Sequence, residues 1–138
     1  MPNLLLFIDD DDVFQRILSR ACRDLPDITP PVFASDGAEA LELIKEGLRT
    51  SAPLPNIVFV DVNMPVMNGF DFLAGLAKLR DDHPRVDSIR PVVMLSSSND
   101  DRDRQKAASL GADGYIVKGM TVAALTESIV TALTEQTQ

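Results

Sequence analysis

Four short apolar runs in this chain each end in a residue able to handle a metal, a phosphoryl group or a proton. Leu4–Ile8 leads into Asp9 and Asp10, Ile57–Val60 into Asp61, Val92–Leu95 into Ser96, and Tyr115–Val117 into Lys118. Three carboxylates brought together repel, and unrelieved repulsion forces at least one to hold its proton. A divalent cation relieves it. An all-oxygen donor set without Cys or His favours Mg²⁺ over zinc or copper, and Mg²⁺ uses only one or two carboxylates, leaving room for a phosphoryl oxygen. An ammonium from Lys118 and a hydroxyl from Ser96 would complete an arrangement that stabilises a phosphoryl group in transfer. A carboxylate can be the nucleophile, giving an aspartyl phosphate, and Asp61 is best placed for that role. Singly, each residue has a plainer reading: a loop-opening aspartate, a turn serine, a solvated lysine. Their coincidence at four strand ends is what points to a site. Asp11 or Asp12 reads instead as the cap of the first helix.

The elements that must position these groups alternate along the chain. After the first strand, a helix over about 12–25 turns Val13, Phe14, Ile17, Leu18, Ala21 and Leu25 to one face. Pro26 and then Pro30-Pro31 bracket the entry to a short second strand, Val32 to Ala34. Ser35-Asp36-Gly37 then signals a turn and cap before a helix over 38–48. Asn68-Gly69 closes the loop after Asp61, and Phe72, Leu73, Leu76 and Leu79 face inward from a helix over 70–79. His83 and Pro84 fall in a polar loop, with His83 read as a surface residue. A polar helix over about 100–110 follows Ser96, and a last helix covers about 121–133. Strands apolar on both faces belong inside a parallel sheet covered by helices on both sides. The chain is therefore expected to be an α/β protein with an open five-stranded parallel sheet, order 2-1-3-4-5. In such a sheet the strands' carboxyl ends share one edge, and ligands sit beyond it near the point where strand order reverses.

Composition narrows the partners. The 138 residues suffice for one domain with a sizeable core. A formal net charge of −8 repels polyanions, so no nucleic-acid binding is expected. No apolar run is long enough to span a bilayer and the N-terminus does not read as a signal peptide, so a cytoplasmic location without membrane attachment is expected. The single Cys22 reads as a small buried hydrophobe.

The segments Leu5-Leu6-Phe7-Ile8-Asp9-Asp10-Asp11, Val58 to Gly69, Pro91 to Ser97 and Gly111 to Lys118 together resemble the receiver domain of bacterial two-component response regulators. The resemblance runs from Leu4 to about Leu133 and implies a CheY-like, flavodoxin-like (βα)5 sandwich. That family shares the strand order inferred above, so the two expectations are not independent. By position, the resemblance implies that Asp61 is the phosphoacceptor. It implies a metal set of Asp9, Asp10 and Asp61, with Asp10 and Asp61 ligating Mg²⁺ and Asn63 offering its backbone carbonyl. Ser96 would bind the phosphoryl group, Lys118 would pair with it, and Tyr115 would be the aromatic switch that follows Ser96 inward. The implied phosphodonor is a sensor histidine kinase or a histidine phosphotransfer protein. The implied target is a downstream protein, with room for a phosphorylation-linked homodimer.

One departure stands out. Gly119 follows Lys118 where the family usually has proline in a cis peptide, and glycine tolerates such a geometry without enforcing it. A looser loop and an altered phosphoryl lifetime are expected.

The helix over 100–110 offers little beyond Ala107, Ala108 and Leu110 to bury, with Asp100–Arg104 and Asp103–Lys106 at pairing distance along it. It is expected to be mobile and, with the fifth strand and last helix, to form the output face. Residues 1–138 are expected to be one receiver domain without an output domain, a phosphoacceptor rather than an enzyme. Three rivals fit less well. A haloacid-dehalogenase-type phosphohydrolase needs an acid where Asn63 stands and a nucleophile on the first strand. A flavin-binding flavodoxin needs a phosphate-cradling loop where Asp9 to Asp12 would repel one. A phosphorylation-independent module would not need the full set of site residues.

Overall fold

The computed structural model describes residues 3–23, 25–26, 28–62, 67–96, 100–118 and 122–137. Strand and helix alternate throughout. The order is β1 (Leu5–Ile8), α1 (Asp12–Arg23), β2 (Val32–Ala34), α2 (Gly37–Thr50), β3 (Ile57–Asp61) and α3 (Gly69–Asp82). A 3₁₀ turn (Pro84–Ser88), β4 (Val92–Ser96), α4 (Asp101–Ser109), β5 (Gly114–Val117) and α5 (Val122–Thr137) follow. All strand pairs are parallel, in the order β2-β1-β3-β4-β5. This is the expected open five-stranded α/β sheet. The reversal of strand order lies between β1 and β3, and it puts Asp9 and Asp61 at the ends of neighbouring strands.

Strand alternation divides the core in two. Leu6, Ile8, Val58, Val60, Val92 and Met94 pack with Ala40, Leu41 and Ile44 of α2, Phe72, Leu73 and Leu76 of α3, and Ala107 of α4. Leu5, Phe7, Ile57, Phe59, Val93 and Leu95 pack on the opposite face with Phe14, Leu18, Ala21 and Cys22 of α1 and Leu125 and Ile129 of α5. Phe7 stacks between Phe33 and Phe59, with ring centroids 5.6 and 5.0 Å away. Continued one step past the strands, the same alternation turns Asp9, Asp61 and Lys118 toward the α1/α5 side. Ser96 and Tyr115 fall on the α2/α3/α4 side.

Short polar side chains start the helices near the site edge. Asp11 Oδ1 accepts from the backbone N–H groups of Val13 (2.9 Å) and Phe14 (3.3 Å), so of the two candidate caps for α1 it is Asp11 that acts. Asp36 accepts from Glu39 N at 2.9 Å while Glu39 reaches back to Ser35 N at 3.3 Å, a reciprocal cap for α2. Asn68 and Asp100 cap α3 and α4 by accepting from Asp71 N (2.9 Å) and Arg102 N (2.8 Å).

Two expectations need correction. Val13 does not face the core: its side chain is 64% exposed, because the buried stripe of α1 runs through Phe14, Leu18, Ala21 and Cys22. The segment after His83 is not a plain polar loop but a 3₁₀ turn, held by Val86 and followed by Ile89, both fully buried under α3. His83 itself is exposed, as expected. Cys22 is buried, and burial pushes its thiol up to about 11. No helix among the described residues is long and apolar enough to cross a membrane.

Candidate functional site

Asp9, Asp10 and Asp61 come together at the carboxyl edge of β1 and β3, each offering a carboxylate oxygen within 4.8 Å of the others. Asp9 and Asp61 are buried and Asp10 is exposed. The backbone after β1 fixes the first of them. Asp11 N donates to Asp9 Oδ1 at 2.9 Å, Gln15 Nε2 donates to the Asp9 carbonyl at 2.7 Å, and Asp9 N donates to Ala34 O at 3.0 Å. Asp61 is the last residue of β3, in register with Leu95, so the central strand pair holds it. Gly69 lets α3 begin against that strand end: a Cβ there would meet the Asp61 carbonyl oxygen at 2.5 Å and Met94 Cε at 2.8 Å.

Lys118 follows β5 and reaches across the end of β4. Its ammonium lies 2.7 Å from Asp9 Oδ2 and 3.0 Å from Asp61 Oδ2. The contact to Asp61 is a hydrogen bond. The shorter contact, to Asp9 Oδ2, is a charge-assisted pairing that is less well directed than the one to Asp61. Burial pulls the Lys118 pKa down, but the two carboxylates pull harder the other way and leave it above the ordinary lysine value. The ammonium stays charged at neutral pH.

Ser96 ends β4, fully buried, in register with Val117. Tyr115 is in register with Met94, two residues back on the same face as Ser96, and Arg104 of α4 covers its ring at 4.6 Å. Asp9, Asp10, Asp61 and Lys118 therefore form one cluster. Ser96 stands at the next strand end, and Tyr115 lies behind it. Asn63 and Gly119 lie outside the described residues.

The cluster fits a hard divalent cation. Its donors are all carboxylate oxygens, and two of the three groups are buried. Lys118 supplies one positive charge against three negative ones.

The residues around the cluster were harder to read from sequence. Phe14 reads as core by its spacing, yet the Lys118 ammonium sits over its ring at 4.6 Å. Gln15 carries no motif, and its bond to Asp9 O spans the start of α1. The sole signal for either was its place in the first turns after the acidic pair.

The chain belongs to the response regulator receiver domain family, whose profile matches residues 5–130. Receiver domains are phosphoacceptors that bind a divalent metal and work between histidine kinases and downstream targets. The nitrate/nitrite response regulator protein NarL of Escherichia coli is 34% identical over 120 residues, which is 86% of this chain and 49% of NarL. The chain thus spans about half the length of that relative. The phosphorylated cyanobacterial phytochrome response regulator RcpA is similar in structure, with a TM-score of 0.77 and 25% identity over 94% of this chain and 89% of its own. The Mn²⁺-bound form of the response regulator Rcp1 shares the fold, with a TM-score of 0.74 and 23% identity over 93% and 89% of the two chains.

Proposed function

We infer that Asp61 takes a phosphoryl group from the phosphohistidine of a sensor histidine kinase or a histidine phosphotransfer protein. The observation that carries this reading is the Lys118 ammonium at 3.0 Å from Asp61 Oδ2, inside a cluster of three carboxylates. In the transfer, an Asp61 carboxylate oxygen attacks phosphorus, the P–N bond breaks, and the imidazole leaves with its electron pair. Asp9, Asp10 and Asp61, with the Asn63 carbonyl, would hold Mg²⁺, with Asp10 and Asp61 as direct ligands. When bound, the ion offsets charge on the transferring phosphoryl oxygens. Lys118 turns from the Asp61 carboxylate toward a phosphoryl oxygen, and Ser96 moves to donate its hydroxyl to another.

The movement of Ser96 draws Tyr115 inward and biases α4, β5 and α5, which form the output face. Residues 1–138 work as one receiver unit in the cytoplasm, a stoichiometric acceptor rather than a turnover enzyme. Output passes by contact with a downstream protein or with a second phosphorylated copy, and not through nucleic acid.

The test is the intact mass after incubation with Mg²⁺ and acetyl phosphate. One labile phosphoryl adduct is expected on the native chain, with none on Asp61→Asn and none after chelation. If neither acetyl phosphate nor a beryllofluoride mimic occupies the site, the reading gives way to a phosphorylation-independent interaction module.

A further inference from the structure

Lys118 is the one cation in the carboxylate cluster among the described residues, so its position decides how charge is balanced there. What holds it in place is unusual in kind. Its side chain is 16% exposed and its ammonium meets Asp9 Oδ2, Asp61 Oδ2 and the face of the Phe14 ring. Phe14 is anchored: it is 8% exposed, its N–H is bound by the Asp11 cap, and its neighbour Gln15 ties α1 to the Asp9 carbonyl. The ring is thus fixed to the same backbone segment that fixes Asp9.

An aromatic face differs from an oxygen acceptor in a way that matters here. It attracts an ammonium through its quadrupole but claims no particular N–H direction. The ammonium can therefore rotate and re-aim its donors while its position over the ring is kept. An oxygen acceptor in the same place would compete for one of the three donors and resist the turn. The apolar ring also keeps water off one side of the ammonium, which strengthens its attraction to the anions on the other.

We propose that Phe14 is a positioning residue for phosphoryl transfer, an aromatic seat that holds the Lys118 ammonium beside Asp9 and Asp61 and lets it swivel toward a phosphoryl oxygen. This rests on the acceptor role of Asp61 proposed above. It adds a residue that acts through Lys118 rather than on the phosphoryl group.

The experiment compares native protein with Phe14→Leu, Phe14→Tyr and Leu18→Val in two measurements. The first is the rate of Asp61 phosphorylation by acetyl phosphate in Mg²⁺. The second is the proton NMR shift of the Lys118 ε-methylene in metal-free protein, which is bonded to the ammonium over the ring and should be moved upfield by it. Phe14→Leu keeps an apolar side chain but removes the ring, and should slow phosphorylation between about threefold and thirtyfold. It should also return the Lys118 ε-methylene to its ordinary position. Phe14→Tyr keeps the ring and should stay within about twofold of native in rate, with the upfield shift retained. Leu18→Val loosens the same buried stripe of α1 without touching Lys118, and should leave both measurements near native. Native-like rate and shifts in Phe14→Leu would overturn the proposal, as would equal slowing by Leu and Tyr or by Leu18→Val. If neither acetyl phosphate nor beryllofluoride occupies Asp61 in the native protein, the acceptor reading fails instead, and the NMR shifts alone decide whether the ring seats the lysine.

Discussion

In β3, every residue from Ile57 to Asp61 is buried; in β5, none of the four from Gly114 to Val117 is. The helices that cover the two strands differ in the same direction. Against the β1/β3 half, α1 contributes Phe14, Leu18, Ala21 and Cys22, and α3 contributes Phe72, Leu73 and Leu76. Against the β5 half, α4 buries Ala107 alone. Two cations hold α4 down instead: Arg104 over Tyr115 at 4.6 Å and Lys106 over Phe70 at 4.5 Å. The acidic residues thus stand on the well-packed half, while Lys118, which closes the cluster, comes from the lightly held half. If Asp61 accepts a phosphoryl group, the part of the molecule that costs least to move is the part tied to it through Lys118.

The largest test of this contrast is a matched pair of truncations. Phe59→Ala, at a fully buried position of the central strand, should cost about 3–5 kcal/mol of unfolding free energy. Ala107→Gly, at the one buried position of α4, should cost about 1.5–2 kcal/mol, about half through helix propensity and half through the lost methyl. Urea unfolding of both variants checks it. Similar losses would mean that α4 is as integral to the core as β3, and the contrast would be gone.

A second test targets the ion pair that joins the halves. Lys118 has its pKa raised in the folded state by Asp9 and Asp61, against the pull of burial. Its contribution to stability is therefore complete below 10.5, the ordinary lysine value, and is lost as pH rises through the higher folded value. In metal-free protein, the urea midpoint of the native chain relative to Lys118→Met should stay constant from neutral pH to about pH 10 and converge above that. A difference that drifts between pH 7 and 9 would mean that the pair does not hold the lysine charged.

The contrast also explains what was legible in the sequence. Runs such as Leu5–Ile8 and Ile57–Val60 are buried on both faces, so pattern alone reveals both the strands and the residues that follow them. Asp9, Asp10, Asp61, Ser96 and Lys118 could be found because backbone direction places each strand's end on one edge, whatever the loops do. Asp11 as the α1 cap was legible to within one residue for a similar local reason. The seat of Lys118 on Phe14 was not. It joins residues 14 and 118 across the whole chain, and an apolar residue at helical spacing gives no sign that its ring meets a cation. The charged face of α4 misled in the same way. The spacing suggested Asp103–Lys106 as a pair along the helix, whereas Lys106 goes to Phe70, a residue of another helix.

The smallest effect is the most specific one. Arg104 covers the ring of the residue that would have to move if Tyr115 follows Ser96. A contact of this kind at a partly exposed site contributes about 0.5–1 kcal/mol, a small part of global stability but enough to set the opening of a helix with one buried side chain. Arg104→Gln keeps a long polar side chain and removes the charge. It should lower the unfolding free energy by no more than about 1 kcal/mol, and it should speed amide exchange across Asp101–Ser109 by about two- to fivefold, well beyond any change at Ile57–Asp61. Hydrogen–deuterium exchange read by mass spectrometry separates these segments. Faster exchange confined to α4 and β5 would show that the arginine restrains that side of the sheet while Asp61 is unmodified. Uniform acceleration through β3 would mean that the two halves open together, and the division of labour inferred from their packing would fail.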